Sequence, residues 1–493
     1  MALLRRKSLA ALLEQASDQA HGLKRTLSAP GLIALGVGAI IGAGLFVRTA
    51  AASGEAAGPA VTSSFLIAAI GCCFAGLCYA EFAAMMPIAG SAYTYSYVTM
   101  GEFVAWTIGW ALVLEYALGA ATVAISWSEY LNNLVSGRIP FEWCHSPLEV
   151  SSGGVHGIVN IPALCILVLL TLLLIKGTQE SSTVNAIIVA LKVSIVIVFI
   201  LVGWQFVNPA NHTPYLIPAS EPGHAGTFHH GWGGVLGGAG IVFFAFIGFD
   251  AVSTAAQEAK NPTRDMPIGI LGSLAVCTFL YVTFSYVLTG VANWREFLTA
   301  GKEASVAYAI QHHMPGFGWL ATLVTIAILL GFSSVILVML LGQSRVFYSM
   351  STDGLLPKLF SDLHPSWRTP YKSNIVLLLF VGLFAGLLPE SLAGDLTSIG
   401  TLFAFVLVSI GVWILRRRQP DIPRPFRAPL VPLVPILGVV ICSGMIISLD
   451  RRTQLTAGGW MLAGFLVYFL YSRGHSRLAA MPAGAAVQQP AGR

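Results

Sequence analysis

Charge is what this sequence most lacks. Of its 493 residues, 10% are Asp, Glu, Lys or Arg, against about 25% in soluble globular chains. Hydrophobic residues make up 56% and the mean hydropathy is +0.76. So few charged groups cannot cover a water-facing surface, which excludes a soluble globular protein and makes lipid the natural solvent. The seven cysteines include no CxxC pair, so neither a zinc site nor a disulfide framework is expected. There is no GxxxxGK[ST], no HExxH and no convincing GxSxG. ATP-driven transport and a membrane-embedded enzyme are therefore disfavoured, and no cofactor or metal is expected. The net charge of +5 comes from residues scattered between apolar blocks, which excludes a nucleic-acid-binding face. The N-terminal stretch MALLRRKSLAALLEQASDQAHGLKR has no long apolar core with a cleavage site. It reads as an uncleaved amphipathic helix on the membrane surface, or as a disordered arm.

What is there is apolar length. A spanning helix needs about 20 mostly apolar residues. Twelve such runs are found, at roughly 31–50, 59–82, 103–130, 158–176, 183–206, 234–258, 266–290, 318–345, 373–389, 395–415, 430–449 and 456–472. The expected fold is an all-α integral membrane protein, because open strands cannot satisfy their backbone in lipid. With the N-terminus inside, the outer segments carry only Arg48, Arg138, Arg295, Lys302, Arg451 and Arg452 of the 27 basic residues. The rest lie inside, apart from Lys192 within a span. This bias places both termini in the cytoplasm of a cell-membrane protein. The domain plan is a cytoplasmic segment 1–30, a transmembrane body 31–472 and a disordered tail 473–493. The long loops 131–157 and 207–233 lie outside. His224, His229 and His230 read as a solvated His-rich loop rather than a metal site, since no carboxylate or thiol completes one.

Two spans are dense in glycine. The first, GLIALGVGAIIGAGLFV, holds Gly31, Gly36, Gly38, Gly42 and Gly44; the sixth opens on Gly233, Gly234, Gly237, Gly238 and Gly240 before FFAFIGFD. Each glycine costs a helix roughly 1 kcal/mol relative to alanine. Close packing through small residues accounts for single spacings of four, but less well for the dense runs. The two spans lie five helices apart, as equivalent members of two inverted five-helix repeats would. Interrupted helices at such positions point to a transporter's binding site. An unwound helix presents N–H groups to a carboxylate and C=O groups to an ammonium, so a pair can hold the zwitterionic core of an amino acid.

The ionisable residues inside spans are chiefly Glu115, Lys192 and Asp250, and such residues are functional candidates by default. Glu115 lies roughly 18 Å into its span, near the midplane. Asp250 ends the FFAFIGFD break, where it could cap the following half-helix, carry a proton or meet a cationic substrate. Lys192 lies roughly 12 Å from the inner face. It either snorkels or is a buried amine that binds and releases a proton, since burial disfavours the charged form.

Three stretches carry a family resemblance: GVGAIIGAGLFV at 36–47, GFDAVSTAAQEAKNPTRDMPIGI at 248–270 and GQSRVFYSMSTDGLLPKLFSDLHPSWRTP at 342–370. They resemble the amino acid–polyamine–organocation superfamily, and within it the bacterial relatives of the cationic amino acid transporters. The resemblance implies two inverted five-helix repeats, about 31–206 and 234–415, plus two further helices within 430–472. It implies alternating access coupled to protons, importing small neutral or cationic L-amino acids. The substrate carboxylate would meet N–H groups around Ile41, Gly42, Ala43 and Gly44. The ammonium would meet carbonyls around Ile40 and around Phe244, Ala245, Phe246 and Ile247. Glu115 would line the side-chain end of the pocket or a polar network beside it. Lys192 would stand where sodium-coupled relatives bind their ion, leaving proton coupling to Lys192, Asp250 and Glu115. The chain departs from the family at Gln257-Glu258 and at Ser351-Thr352-Asp353-Gly354, which bears on gating contacts. Phe243, Phe244, Phe246 and Phe249 make the pocket apolar, suiting small neutral side chains as well as arginine. Polyamine transport, amino acid exchange and a membrane amino acid sensor are the alternatives; a small membrane subunit on the lipid-facing helices is left open.

Overall fold

The computed structural model describes residues 5–7, 27–86, 91–151, 153–177, 182–254, 259–299, 304–367 and 369–480. Most of the N-terminal segment, Gln257, Glu258 and the tail beyond Ala480 lie outside these residues. Among the described residues the chain is helical, with isolated bridges but no strand. The main elements are α1 (Ala29–Ile40), α2 (44–57), α3 (Val61–Met85), α4 (Ser91–Thr99), α5 (Glu102–Leu134), α6 (Ile161–Lys176), α7 (Ser182–Gly203) and α8 (Gly231–Phe246). They continue with α9 (Ala251–Thr254), α10 (Pro262–Val291), α11 (Ser305–His313), α12 (Gly318–Thr352), α13 (Tyr371–Leu387), α14 (Glu390–Arg418), α15 (Leu433–Ser448), α16 (Arg451–His475) and α17 (Arg477–Ala480). Among the described residues seven helices are long and apolar enough to cross a membrane, and five shorter apolar helices accompany them. Each apolar run expected from the sequence overlaps one or more of the helices named above.

The packing is that of a protein dissolved in lipid. Large apolar side chains face outward, with Leu470 84%, Phe279 72% and Leu379 71% exposed. The interior is where the polar groups sit. Arg48, Glu81, Glu115, Lys192 and Asp250 are all buried, as intramembrane ionisable groups are when they face the bundle. Arg48, read from the sequence as a residue of the outer side, is fully enclosed in α2. Its guanidinium pairs with Asp395 and, at 3.3 Å, with Glu390, both on α14.

Residues 5–7 and 476–477 are tied to the bundle at the end where α5 begins and α12 stops. The Arg5 carbonyl accepts from the Glu102 amide at 2.9 Å, and Lys7 pairs with Asp353. The Arg477 amide donates to the Asp353 carbonyl at 3.0 Å, and Ser476 donates to Glu102. Residues 473–480, expected from composition to be a disordered tail, thus fold as helical turns against the body. Asp353, one of the departures from the family pattern, is a junction for both chain ends.

The loop 207–233 is not simply solvated. His224 is buried; its Nε2 lies 2.8 Å from the Gly54 carbonyl and its ring meets Trp294 edge-on. Arg295 grips Glu221 in a two-pronged pair at 2.7 and 2.8 Å. His229 Nε2 lies 3.6 Å from Asp450. Hydrogen bonding to Asp450 raises His229 above its ordinary pKa, and the same contact lowers Asp450. The histidine's contribution is complete below its unfolded value of about 6.5, and it is lost as pH rises through the raised folded value. The aspartate's is present above about 3.9 and is lost on acidification through the lowered one. Amide protection across 207–233, taken relative to the intrinsic exchange rate at each pH, is therefore expected to be greatest near pH 5–6 and to fall toward pH 8. An Asp450→Asn variant should flatten that profile, and an equally steep profile would remove the pair from the account.

A second ion cluster fixes α3 to the end of α14. Glu81, 1% exposed, accepts from Arg416 Nε at 3.0 Å, Arg416 Nη2 at 2.6 Å and the Ala428 amide at 2.8 Å. Truncating one member of such a buried pair costs roughly 3–5 kcal/mol, because the partner charge is left unpaired. Glu81→Ala is expected to lower the unfolding midpoint in detergent markedly. Wild-type thermal stability in that variant would show that water replaces the carboxylate.

Candidate functional site

The site is made by two breaks in helical backbone. α1 ends at Ile40, and Ile41 is extended at φ −72°, ψ 110°. A helix end leaves its last carbonyls without intrahelical donors, and here three of them find donors. The Val37 carbonyl takes the Ile41 amide at 3.0 Å, Gly38 takes Lys192 Nζ at 3.0 Å, and Ile40 takes the Tyr281 hydroxyl at 3.1 Å. An ammonium at this position also complements the negative end of the helix dipole. The chain resumes helix at Ala43–Gly44, so the amides of Gly42, Ala43 and Gly44 stand at the positive start of α2. The second break follows α8. Ile247 is extended, Gly248 has φ +111°, and helix restarts at Ala251. A side chain at Gly248 would meet the Ala39 carbonyl at 2.9 Å, so only glycine serves both the angle and the approach.

The breaks touch. A Cβ at Gly44 would run into the backbone of Ala245. Tyr281, on α10, bridges them through one hydroxyl, which lies 3.1 Å from the Ile40 carbonyl and 2.9 Å from that of Ala245. Its ring packs on Phe246 and Phe65 at centroid distances of 5.3 and 5.4 Å. Ile40, Ile41, Gly42, Ala43, Gly44, Phe244, Ala245, Phe246 and Ile247 are all buried and all belong to this junction.

Glu115 and Asp250 meet on its other flank. Glu115 lies in the π-helical turn Leu114–Leu118 of α5 and interacts with Asp250 and Thr401. The neighbouring Tyr116 hydroxyl donates to Asp250 Oδ2 at 3.0 Å. The Tyr79 hydroxyl belongs to the same electrostatic neighbourhood. Asp250 occupies the residue before α9, where a cap would sit, while its side chain engages α5. Lys192 stands elsewhere, with its stem against Gly331 of α12 and its amine on Gly38. Lys192 thereby links α1, α7 and α12.

Sequence reasoning overlooked Tyr281, Tyr116 and the partners of Arg48. Tyr281 sits in the apolar run TFLYVTFSYV with nothing to distinguish it from a packing aromatic. Glu390 and Asp395 stand just before and at the start of the apolar run 395–415, where a carboxylate is unremarkable. Among the described residues no cluster of His, Cys, Asp and Glu could hold a metal.

Residues 27–470 match the family model described as amino acid permease. The chain belongs to the amino acid permease family. It is a multi-pass membrane transporter and not an enzyme. It is 43% identical to the branched-chain amino acid permease BcaP of Bacillus subtilis (strain 168), over 97% of this chain and 99% of that one. It is 40% identical to the methylthioribose transporter of the same organism, again over 97% and 99%. It is 35% identical to cationic amino acid transporter 4, vacuolar, of Arabidopsis thaliana, over 85% of this chain and 68% of that one. The superfamily assignment made from three short motifs therefore holds for nearly the whole chain.

A buried carbonyl left without its donor costs about 1–3 kcal/mol. Tyr281→Phe, which keeps the ring and removes the shared hydroxyl, is expected to lower stability by about that much in a detergent melt. An unaltered melting curve would mean that the two carbonyls find other donors.

Proposed function

We propose that this chain is a secondary active amino acid carrier of the cell membrane, importing small neutral or cationic L-amino acids by proton-coupled alternating access. Its arrangement on this reading is twelve spans with both termini cytoplasmic. Two inverted five-helix repeats contain α1–α2 and α8–α9 as their broken first members, and α15 and α16 follow. The observation that carries the reading is the contact of the two breaks at Gly44 and Ala245. It brings a cluster of N-terminal amides and a set of carbonyls freed from the helical ladder within one small volume. That is the complement of a carboxylate and an ammonium on one carbon. The relatives' names, branched-chain and cationic amino acids among them, favour the same class of substrate.

The substrate carboxylate binds at the amides of Gly42, Ala43 and Gly44. Its ammonium competes with the Tyr281 hydroxyl for the carbonyls of Ile40 and Ala245, a contest the charged donor wins because charge-assisted bonds are the stronger ones. The side chain then points toward the aromatic wall and the Glu115–Asp250 pair. Lys192 acts through Gly38. Charged, its amine holds the end of α1 against α7 and α12; deprotonated, it donates only weakly and lets α1 move. The Arg48–Asp395–Glu390 cluster closes the opposite end in this state. Ion pairs of this kind form and break as the two ends alternate.

Reconstitution in liposomes tests this. Labelled alanine, leucine and arginine are offered with and without an inward proton gradient, and unlabelled methylthioribose serves as a competitor. Gradient-stimulated uptake and saturable counterflow of at least one amino acid are expected. Counterflow of methylthioribose alone would overturn the amino acid reading, and binding without counterflow would favour a sensor. In Lys192→Ala the pH dependence of uptake should disappear while counterflow persists. An unchanged pH profile would move the proton to Glu115 and Asp250.

A further inference from the structure

The lipid-facing side of α16 carries two grooves, and each runs below an arginine. The first, of about 230 Å³, lies between α16 and α5, α13 and α14; its α16 wall is Thr456, Gly459, Trp460 and Ala463. The second, of about 170 Å³, lies between α16 and α5, α14 and α15; its α16 wall is Gln454, Ala457, Gly458 and Met461. Helical spacing puts Arg452 above Thr456, Gly459 and Ala463, and Arg451 above Gln454, Gly458 and Met461. Both arginines are exposed, and neither is in an ion pair among the described residues. The nearest carboxylate along the chain, Asp450, is engaged by His229.

Three properties define the occupant. The walls are apolar, and the one amide among them, Gln454 Nε2, is taken up by the carbonyls of Ile446, Ile447 and Leu449. The space above Gly458 and Gly459 is open, with no atom within 4 Å of where a Cβ would stand. A second helix, about 10 Å across, does not fit volumes of this size, whereas an extended hydrocarbon chain does. The two arginines also run against the bias read from the sequence, which puts most basic residues at the other end of the spans. Guanidinium groups at the rim match a phosphodiester.

We propose that these grooves form a binding site for an anionic phospholipid. Its phosphate lies at Arg451 and Arg452, and its acyl chains lie against α16 beside Gly458 and Gly459. The site is not part of the transport pathway, and it stands whatever substrate the carrier takes. It does reach that pathway's outer wall. Leu114, which lines both grooves, immediately precedes Glu115, and a side chain at Gly400 would collide with Leu114 at 2.6 Å. A chain in the groove therefore presses on the α5–α14 packing that holds Glu115 in place.

The test is native mass spectrometry of the full chain, titrated with phosphatidylglycerol and with phosphatidylcholine of identical acyl chains. Two interfacial arginines are expected to favour the anionic lipid roughly ten- to thirtyfold. R451Q/R452Q should bring its retention down to that of phosphatidylcholine. A Gly458→Leu/Gly459→Leu variant, with the arginines intact, should lose the tightly retained lipid and the rise in melting temperature it confers. Equal retention of the two lipids by the wild-type chain would overturn the proposal. So would undiminished phosphatidylglycerol binding in R451Q/R452Q, or a dimer that is lost in the glycine double variant.

Discussion

In a bilayer no water is at hand to rescue a backbone amide or carbonyl that loses its helical partner, and each such group costs several kcal/mol. The rest of this structure can be read from that constraint. Two helices give up their hydrogen bonds at the centre of the bundle, so donors must be supplied from elsewhere. Lys192 and Tyr281 supply them at Gly38, Ile40 and Ala245. α7 and α10, which contribute those side chains, are thereby bound to the breaks by chemistry as well as by packing. The same deficit that must be satisfied at rest is what a zwitterionic ligand can satisfy instead.

The electrostatic groups fall into three tiers along the bundle. Glu81 with Arg416, and Asp353 with the two chain ends, tie one end; Arg48 with Asp395 and Glu390 ties the other; Glu115, Asp250 and Lys192 occupy the middle. The end tiers are paired acid with base. In the middle tier Asp250 accepts from the Tyr116 hydroxyl and Lys192 donates to the Gly38 carbonyl.

The sequence made some of this readable. The glycine run at 36–44 reached the first break, at Ile41–Gly42, whereas the run at 233–240 lies in the intact helix Gly231–Val242 and serves close packing, the second break following at 247–250. Glu115, Lys192 and Asp250 stood out because charge is scarce in apolar runs. Tyr281 and Tyr116 did not, since a tyrosine in an apolar span is ordinary and its hydroxyl's partner is set by a helix more than a hundred residues away. Arg48 was not read as an interior residue for a related reason. It lies at the edge of a hydrophobic run, where hydropathy reads a loop. Only its pairing with acids some 340 residues downstream makes it an interior residue. Residues 473–480 looked unstructured by composition, yet Ser476 and Arg477 make contacts with the body that composition does not encode.

The meeting of Gly44 with the Ala245 backbone has a consequence for how such a carrier can diversify. Where two main chains touch, no mutation can add an atom without forcing the breaks apart. On the proposed reading, the part of the pocket that meets the amino acid core is therefore closed to an added side chain at Gly44. New substrates must be accommodated on the opposite wall, among Phe243, Phe249 and the surroundings of Glu115 and Thr401, where side chains rather than backbone set the shape. One fixed half and one adjustable half would let relatives as different in their named substrates as a branched-chain amino acid permease and a methylthioribose transporter share so much of this chain's sequence.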